Sequence, residues 1–229
     1  MVTVRPRLLD LFCGGGGCSA GYARAGFDVV GVDLAAQPDY PFQFHRANAL
    51  RYPLAGFDAY AASPPCKVHT ALRATATKPA LFDAHTDLIG PIRDRLAATG
   101  RPYVIENVVG APLVDPARYC GSSFGLSVRR HRLFETNWRL VAPPCDHAAQ
   151  PVVVGVFGTG GADVGWAVRV GGRRTHRGPG RGGRKVAGAD AAAALGIDWT
   201  TDQRRLSQAV PPAYTEHIGR QLLALCCAW

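Results

Sequence analysis

The 229-residue sequence is short of lysine: of 26 basic residues only Lys67, Lys78 and Lys185 are lysine, and the other 23 are arginine. It is also short of acid, with 17 Asp and Glu leaving a formal charge of +9. No run approaches the roughly 20 apolar residues that a membrane-spanning helix needs. The opening MVTVRPRLLDLF passes into a strand pattern without the small-residue cleavage site of a secretory leader. A soluble, cytoplasmic protein with no membrane partner is expected. No CxxC pair occurs among the seven cysteines, Cys13, Cys18, Cys66, Cys120, Cys145, Cys226 and Cys227. An odd, scattered set argues against a disulfide scaffold and for reduced thiols. Without such a pair, Cys120, Cys145 and His147 carry no zinc signature, and no metal is expected.

What is present narrows the class further. A length of 229 residues with 47% hydrophobic content is enough for one main core but not two full domains. The basic excess implies a polyanionic partner. Arginine in particular matches phosphate and guanine edges through its planar fork. A GC-rich genome that raises Arg, Ala and Gly together is an alternative source of the same ratio.

Strand and helix patterns alternate through the first 140 residues, predicting an α/β fold with a mostly parallel sheet. Leu8 to Phe12 reads as a strand, Cys18 to Ala25 as a helix closed by Gly26, and Phe27 to Val32 as a second strand. A weaker strand spans 44–50, and a clearer one at 57–62 is stopped by Pro64 and Pro65. Leu81, Leu88, Ile89, Ile92 and Leu96 have helical spacing, and Tyr103 to Val108 forms another strand ending in Glu106 and Asn107. Three regions are expected: a catalytic, cofactor-binding unit over 1–154, a Gly- and Arg-rich insertion over 155–188, and a C-terminal segment over 189–229. The insertion holds Arg173, Arg174, Arg177, Arg181 and Arg184 with no acid between Asp163 and Asp190. It is a candidate nucleic-acid-binding loop. The last segment carries an apolar helix from about Tyr214 that returns to the core.

Ligands of open α/β sheets bind beyond the carboxyl ends of the strands, and the candidate functional residues gather there. The loop Phe12, Cys13, Gly14, Gly15, Gly16, Gly17 follows a strand and opens a helix, so bare amides can approach a ligand closely. Asp33 ends the next strand, where a carboxylate can accept from two ribose hydroxyls. A nucleoside cofactor is implied, with a nicotinamide dinucleotide as one alternative. Cys66 lies on the loop that closes the strand at 57–62.

The ordered set DLFCGGGG, SPPC, ENV, RRHRLF and LSQAVPP resembles the C5-cytosine methyltransferase family, over about 8–137 and 206–223. The resemblance implies a Rossmann-like, S-adenosyl-L-methionine-dependent methyltransferase fold. It further implies methyl transfer to C5 of a cytosine flipped out of double-stranded DNA. Cys66 would be the nucleophile that adds to C6, and Glu106 a protonated acid donating to N3. Arg130 and Arg132, on one face of a strand by alternation, would contact the target nucleotide. Phe12 would stack on the adenine, Gly14 to Gly17 line the methionine end, and Asp33 hold the ribose. Asp10, Cys13, Leu34, Asn48, Ala49, Pro64, Gln208, Ala209 and Val210 complete the implied cofactor site.

Asn48 stands where the family usually has aspartate, Val128 where it has glutamine, and Gln208 where it has asparagine. The thiol of Cys66 is expected to have a pKa depressed by a nearby arginine or by backbone donors. With only a short insertion in place of a recognition domain, the chain resembles the small methylases of phages and prophages; its oligomeric state is open, with a monomer favoured. An RNA cytosine methyltransferase and a catalytically silent DNA-binding module are the competing readings.

Overall fold

Buried residues fill nearly every position of 7–11, 59–62 and 103–107, as expected of strands covered on both faces rather than one. In the computed structural model, which describes residues 4–69, 86–150, 152–156, 168–170, 173–175 and 184–226, these become the centre of a seven-stranded sheet. The strands are β1 (Arg7–Leu11), β2 (Asp28–Asp33), β3 (Gln43–Arg46), β4 (Ala59–Ala62), β5 (Tyr103–Asn107), β6 (Ala117–Tyr119) and β7 (Arg132–Thr136). Their order is β3-β2-β1-β4-β5-β7-β6. All neighbours are parallel except β7, which runs against both β5 and β6.

Two apolar layers cover the sheet. On one face, α1 (Gly17–Ala25) packs with the C-terminal helix around Leu8, Tyr22, Phe27, Val29 and Phe134. On the other, α2 (Ile89–Ala97) packs Ile92 and Leu96 onto Leu9, Leu11, Val30 and Ile105. Two short helices, α3 (Gly188–Leu195) and α4 (Gln203–Gln208), form a third cluster with Val128, Val156 and Leu206. The last helix, α5 (Pro212–Cys226), buries Tyr214, Ile218 and Leu222, four residues apart on one face. Each such side chain contributes about 1.5–3 kcal/mol relative to exposure. A bidentate pair between Arg93 and the buried Glu135, with Nε to Oε1 at 2.6 Å and Nη2 to Oε2 at 2.7 Å, fastens α2 to β7.

In the basic segment, β9 (Val168–Val170) pairs antiparallel with β10 (Arg173–Thr175), so Arg169 lies opposite Arg174. At the base of the segment, β8 (Val154–Gly155) pairs parallel with β11 (Arg184–Lys185). Arg177 and Arg181 lie outside the described residues, as does Leu81. No disulfide joins the described cysteines. Among the described residues no helix is long and apolar enough to cross a membrane.

Candidate active site

Strand order reverses between β1 and β4, the point at which the loops leaving two neighbouring strands diverge and open a crevice. Ser63 N donates to the Leu11 carbonyl at 3.0 Å, so the glycine loop after β1 and the Ser63-Pro64-Pro65-Cys66 loop after β4 leave the sheet side by side. Asp33 ends β2 beside them. Its Oδ2 accepts from Gly14 N at 3.0 Å, and its Oδ1 accepts from Ala35 N at 2.9 Å. Phe12 holds a left-handed φ of 57°, a conformation costing about 1–2 kcal/mol in a residue with a Cβ. Such strain concentrates at binding sites. The loop is backed by distant chain: Trp199 Nε1 donates to the Gly15 carbonyl at 2.8 Å. A Cβ on Gly17 would lie 2.3 Å from the Val210 oxygen, so only glycine allows that approach.

Beneath the loop, Asp10 is fully buried. Its Oδ2 accepts from Ser19 Oγ at 2.5 Å, and Ser19 in turn accepts from Tyr40 at 2.7 Å. Its Oδ1 has no partner among the described residues. Desolvation raises its pKa from 3.8 to about 7, opposed by the Ser19 bond and assisted by the charges of Asp33 and Glu106. A buried acceptor without a donor is costly, and this one lies at the end of the strand that feeds the glycine loop.

The second half of the site is a group of four ionisable side chains. Glu106, at the end of β5, is 8% exposed and pairs with Arg132, Nε to Oε1 at 3.0 Å. Burial raises its pKa against the pull of Arg132, a Ser63 hydrogen bond and Arg130. Cys66 is raised as well, by burial first and then by the charge of Glu106, with Arg132 and Arg130 pulling the other way. This corrects the expectation of a depressed thiol: two guanidinium groups face two potential anions in a desolvated place. Protonating Glu106 removes one opponent of the thiolate and leaves both arginines to favour it.

Arg130 also departs from expectation. It precedes β7 rather than lying on it, with a left-handed φ of 33°, so strand alternation does not relate it to Arg132. Its Nη1 donates to the Val156 carbonyl at 2.9 Å and its Nη2 to that of Ser207 at 2.5 Å. Its Nε is buried without a partner among the described residues. Burial and Arg132 lower its pKa to about 9. Tyr214 Oη donates to the carbonyls of Arg129 and Arg130 at 3.2 and 3.0 Å and so fixes this turn.

The other implied cofactor residues are spread around the same edge. Leu34 is 70% exposed, a large apolar side chain free to cover a ligand. Asn48 is exposed, and its Oδ1 accepts from Leu50 N at 2.9 Å, so it serves a local turn. Ala49, Cys13 and Pro64 are buried, Gln208 is exposed at the end of α4, and Ala209 follows it as the C-cap.

No family model matches the sequence, and no curated protein matches it. Solved structures do. A candidate DNA modification methyltransferase encoded within an E. coli prophage superposes with a TM-score of 0.60 at 15% identity, covering 98% of this chain and 100% of that one. The Dnmt2 methyltransferase of S. pombe gives 0.61 at 12% identity, over 97% and 99%. The methyltransferase EhMeth of Entamoeba histolytica gives 0.59 at 11% identity, over 97% and 99%. The chain has the methyltransferase fold.

Within the methyltransferase fold, several residues that hold the site together escaped the sequence reading. Asn107 Nδ2 donates to the Pro64 carbonyl at 3.0 Å, tying the Cys66 loop to β5. Its place in ENV was a visible signal. Ser63, as a partner of both Cys18 at 3.6 Å and Glu106, lay within SPPC and was equally visible. Trp199 and Tyr214 act across 184 and more than 80 residues, and no local pattern announces such contacts.

Proposed function

We propose that the protein is a DNA cytosine C5 methyltransferase that uses S-adenosyl-L-methionine, with Cys66 as covalent nucleophile. One observation carries the reading: a thiol, a carboxyl raised by burial and two arginines form one electrostatic group beside the glycine loop. The cofactor fits the residues present. Asp10 Oδ1 lacks a donor among the described residues, and the cofactor's α-amino and sulfonium groups are cationic. Bound there, S-adenosyl-L-methionine supplies an electrophilic methyl group.

The residues divide the work as follows. Cytosine C5 is too poor a carbanion to take a methyl group unaided, and C6 of a stacked base is out of reach, so the base must leave the duplex at a cost of a few kcal/mol. Protonated Glu106 donates to N3 as negative charge develops on the ring. The Cys66 thiolate, favoured by Arg132 and Arg130, forms a bond to C6 and makes C5 enamine-like. After C5 is methylated, its proton passes to water, the sulfur–C6 bond breaks, and the electron pair returns to Cys66. Arg173, Arg174, Arg177, Arg181 and Arg184 supply salt-dependent phosphate affinity with little sequence reading.

The test is mass spectrometry after incubating the protein and S-adenosyl-L-methionine with duplex DNA containing 5-fluorocytosine, where fluorine blocks the elimination. A methylated adduct on Cys66 is expected, and Cys66→Ala should abolish it while cofactor affinity changes less than about threefold, as for a group spent on the transition state. An adduct formed only with fluorinated RNA would move the activity to RNA. DNA binding with no transfer to either polymer would leave a silent binding module.

A further inference from the structure

Beside the arginine turn, the fold gathers four side chains that the chemistry above does not use: Cys120, His131, Cys145 and His147. Backbone register brings the first two together. β6 and β7 pair antiparallel with Tyr119 opposite Arg132, so the next residues outward on the two chains, Cys120 and His131, face each other. The other two come from the irregular stretch after β7. Ser123 Oγ donates to the Pro144 carbonyl at 2.7 Å, Asp146 N donates to Ser122 Oγ at 3.1 Å, and Gln150 Nε2 donates to the Leu126 carbonyl at 2.8 Å. These bonds lay 144–150 against 122–126.

The four ligand atoms all lie within 4.8 Å of one another. Cys120 Sγ is 3.3 Å from His147 Nε2, and Cys145 Sγ is 3.5 Å from His131 Nε2. A tetrahedral zinc with bonds of about 2.3 Å to sulfur and 2.0–2.1 Å to nitrogen sets a sulfur–nitrogen edge of about 3.6 Å. The cluster is therefore close to the size of the coordination shell before any ion enters it. Two separate thiol–imidazole hydrogen bonds would satisfy each pair alone, but they give no reason for the pairs to share one tetrahedron.

We propose that Cys120, His131, Cys145 and His147 bind one structural zinc ion. Two thiolates and two imidazoles are the soft and borderline donors that zinc prefers. Four protein ligands leave no open position, so the ion is a staple rather than a Lewis acid. It fastens 138–150, which contains no helix or strand, to the edge of the sheet. Because His131 stands between Arg130 and Arg132, the staple also fixes the backbone that aims both arginines. The spacing, Cys-x10-His-x13-Cys-x-His, matches no finger pattern, which explains why the sequence predicted no metal.

The test uses the full chain purified without chelator. Plasma mass spectrometry should find about one zinc per protein, and His147→Ala and Cys145→Ser should each lower that by about tenfold or more. Cobalt(II) added to zinc-stripped protein should give intense visible bands of a tetrahedral thiolate site, which one equivalent of zinc erases. Neither reading depends on methyl transfer, so zinc binding stands or falls apart from the proposed activity. Three results would overturn the site: no zinc together with no cobalt spectrum on the unsubstituted chain, zinc content unchanged in both variants, or a Cys120–Cys145 disulfide in protein prepared without oxygen.

Discussion

Asp10 offers a direct way to weigh the cost built into the site. Its carboxyl is fully buried, and its pKa rises from 3.8 to about 7, chiefly through desolvation. An acid raised in the folded state adds stability that is fully present below its unfolded pKa and is lost as pH climbs toward the folded one. The window is therefore 3.8 to about 7. At about 1.4 kcal/mol per unit over roughly three units, about 4 kcal/mol is withdrawn across it. Asn at position 10 is near-isosteric and cannot ionise. Urea denaturation of the protein and of Asp10→Asn at pH 5 and pH 8 should show the variant gaining about 3 kcal/mol relative to the parent between the two conditions. Parallel losses in the two proteins, with the gap moving by less than about 1 kcal/mol, would mean that Asp10 does not hold its proton in the fold and would refute the desolvation argument.

Two further substitutions test the frame around the chemistry. Glu135→Ala leaves Arg93 without its bidentate partner and Val114 N without its acceptor, and should lower the urea-derived stability by about 3 kcal/mol. Tyr214→Phe strips the donor from the carbonyls of Arg129 and Arg130. It should cost about 1–2 kcal/mol, seen as a melting temperature lower by about 2–8 °C, and should slow methyl transfer with cofactor affinity retained. A rate equal to the parent's would show that the turn at Arg130 does not depend on that hydroxyl.

The sequence made the first half of the sheet readable because its units are local. The β1-α1-β2 run, the proline stop after β4 and the strand ending in Glu106 and Asn107 all lie where periodicity and turn residues place them. The reversal of β7 was not readable, since a strand's direction is set by partners far away in sequence. The same holds for Arg130. Alternation along a continuous strand predicted a shared face with Arg132, but the strand begins only at Arg132 and the backbone at Arg130 turns left-handed. For Cys66 the residue was legible and its proton affinity was not. Charges could be listed from the motifs, whereas burial, the dominant influence, exists only after folding. α3 and α4 escaped because an alanine-rich octamer and a six-residue helix carry little amphipathic pattern.

The bond from Trp199 to the Gly15 carbonyl and the seat of Gly17 against Val210 bear on the order of synthesis. A ribosome makes the glycine loop well before the segment around 199–210, with Trp199 lying 184 residues beyond Gly15. A nascent chain stalled before that point would display the loop's sequence without its geometry. A fragment that stops before Trp199 and carries every glycine of the motif would thus lack the wall that shapes the loop.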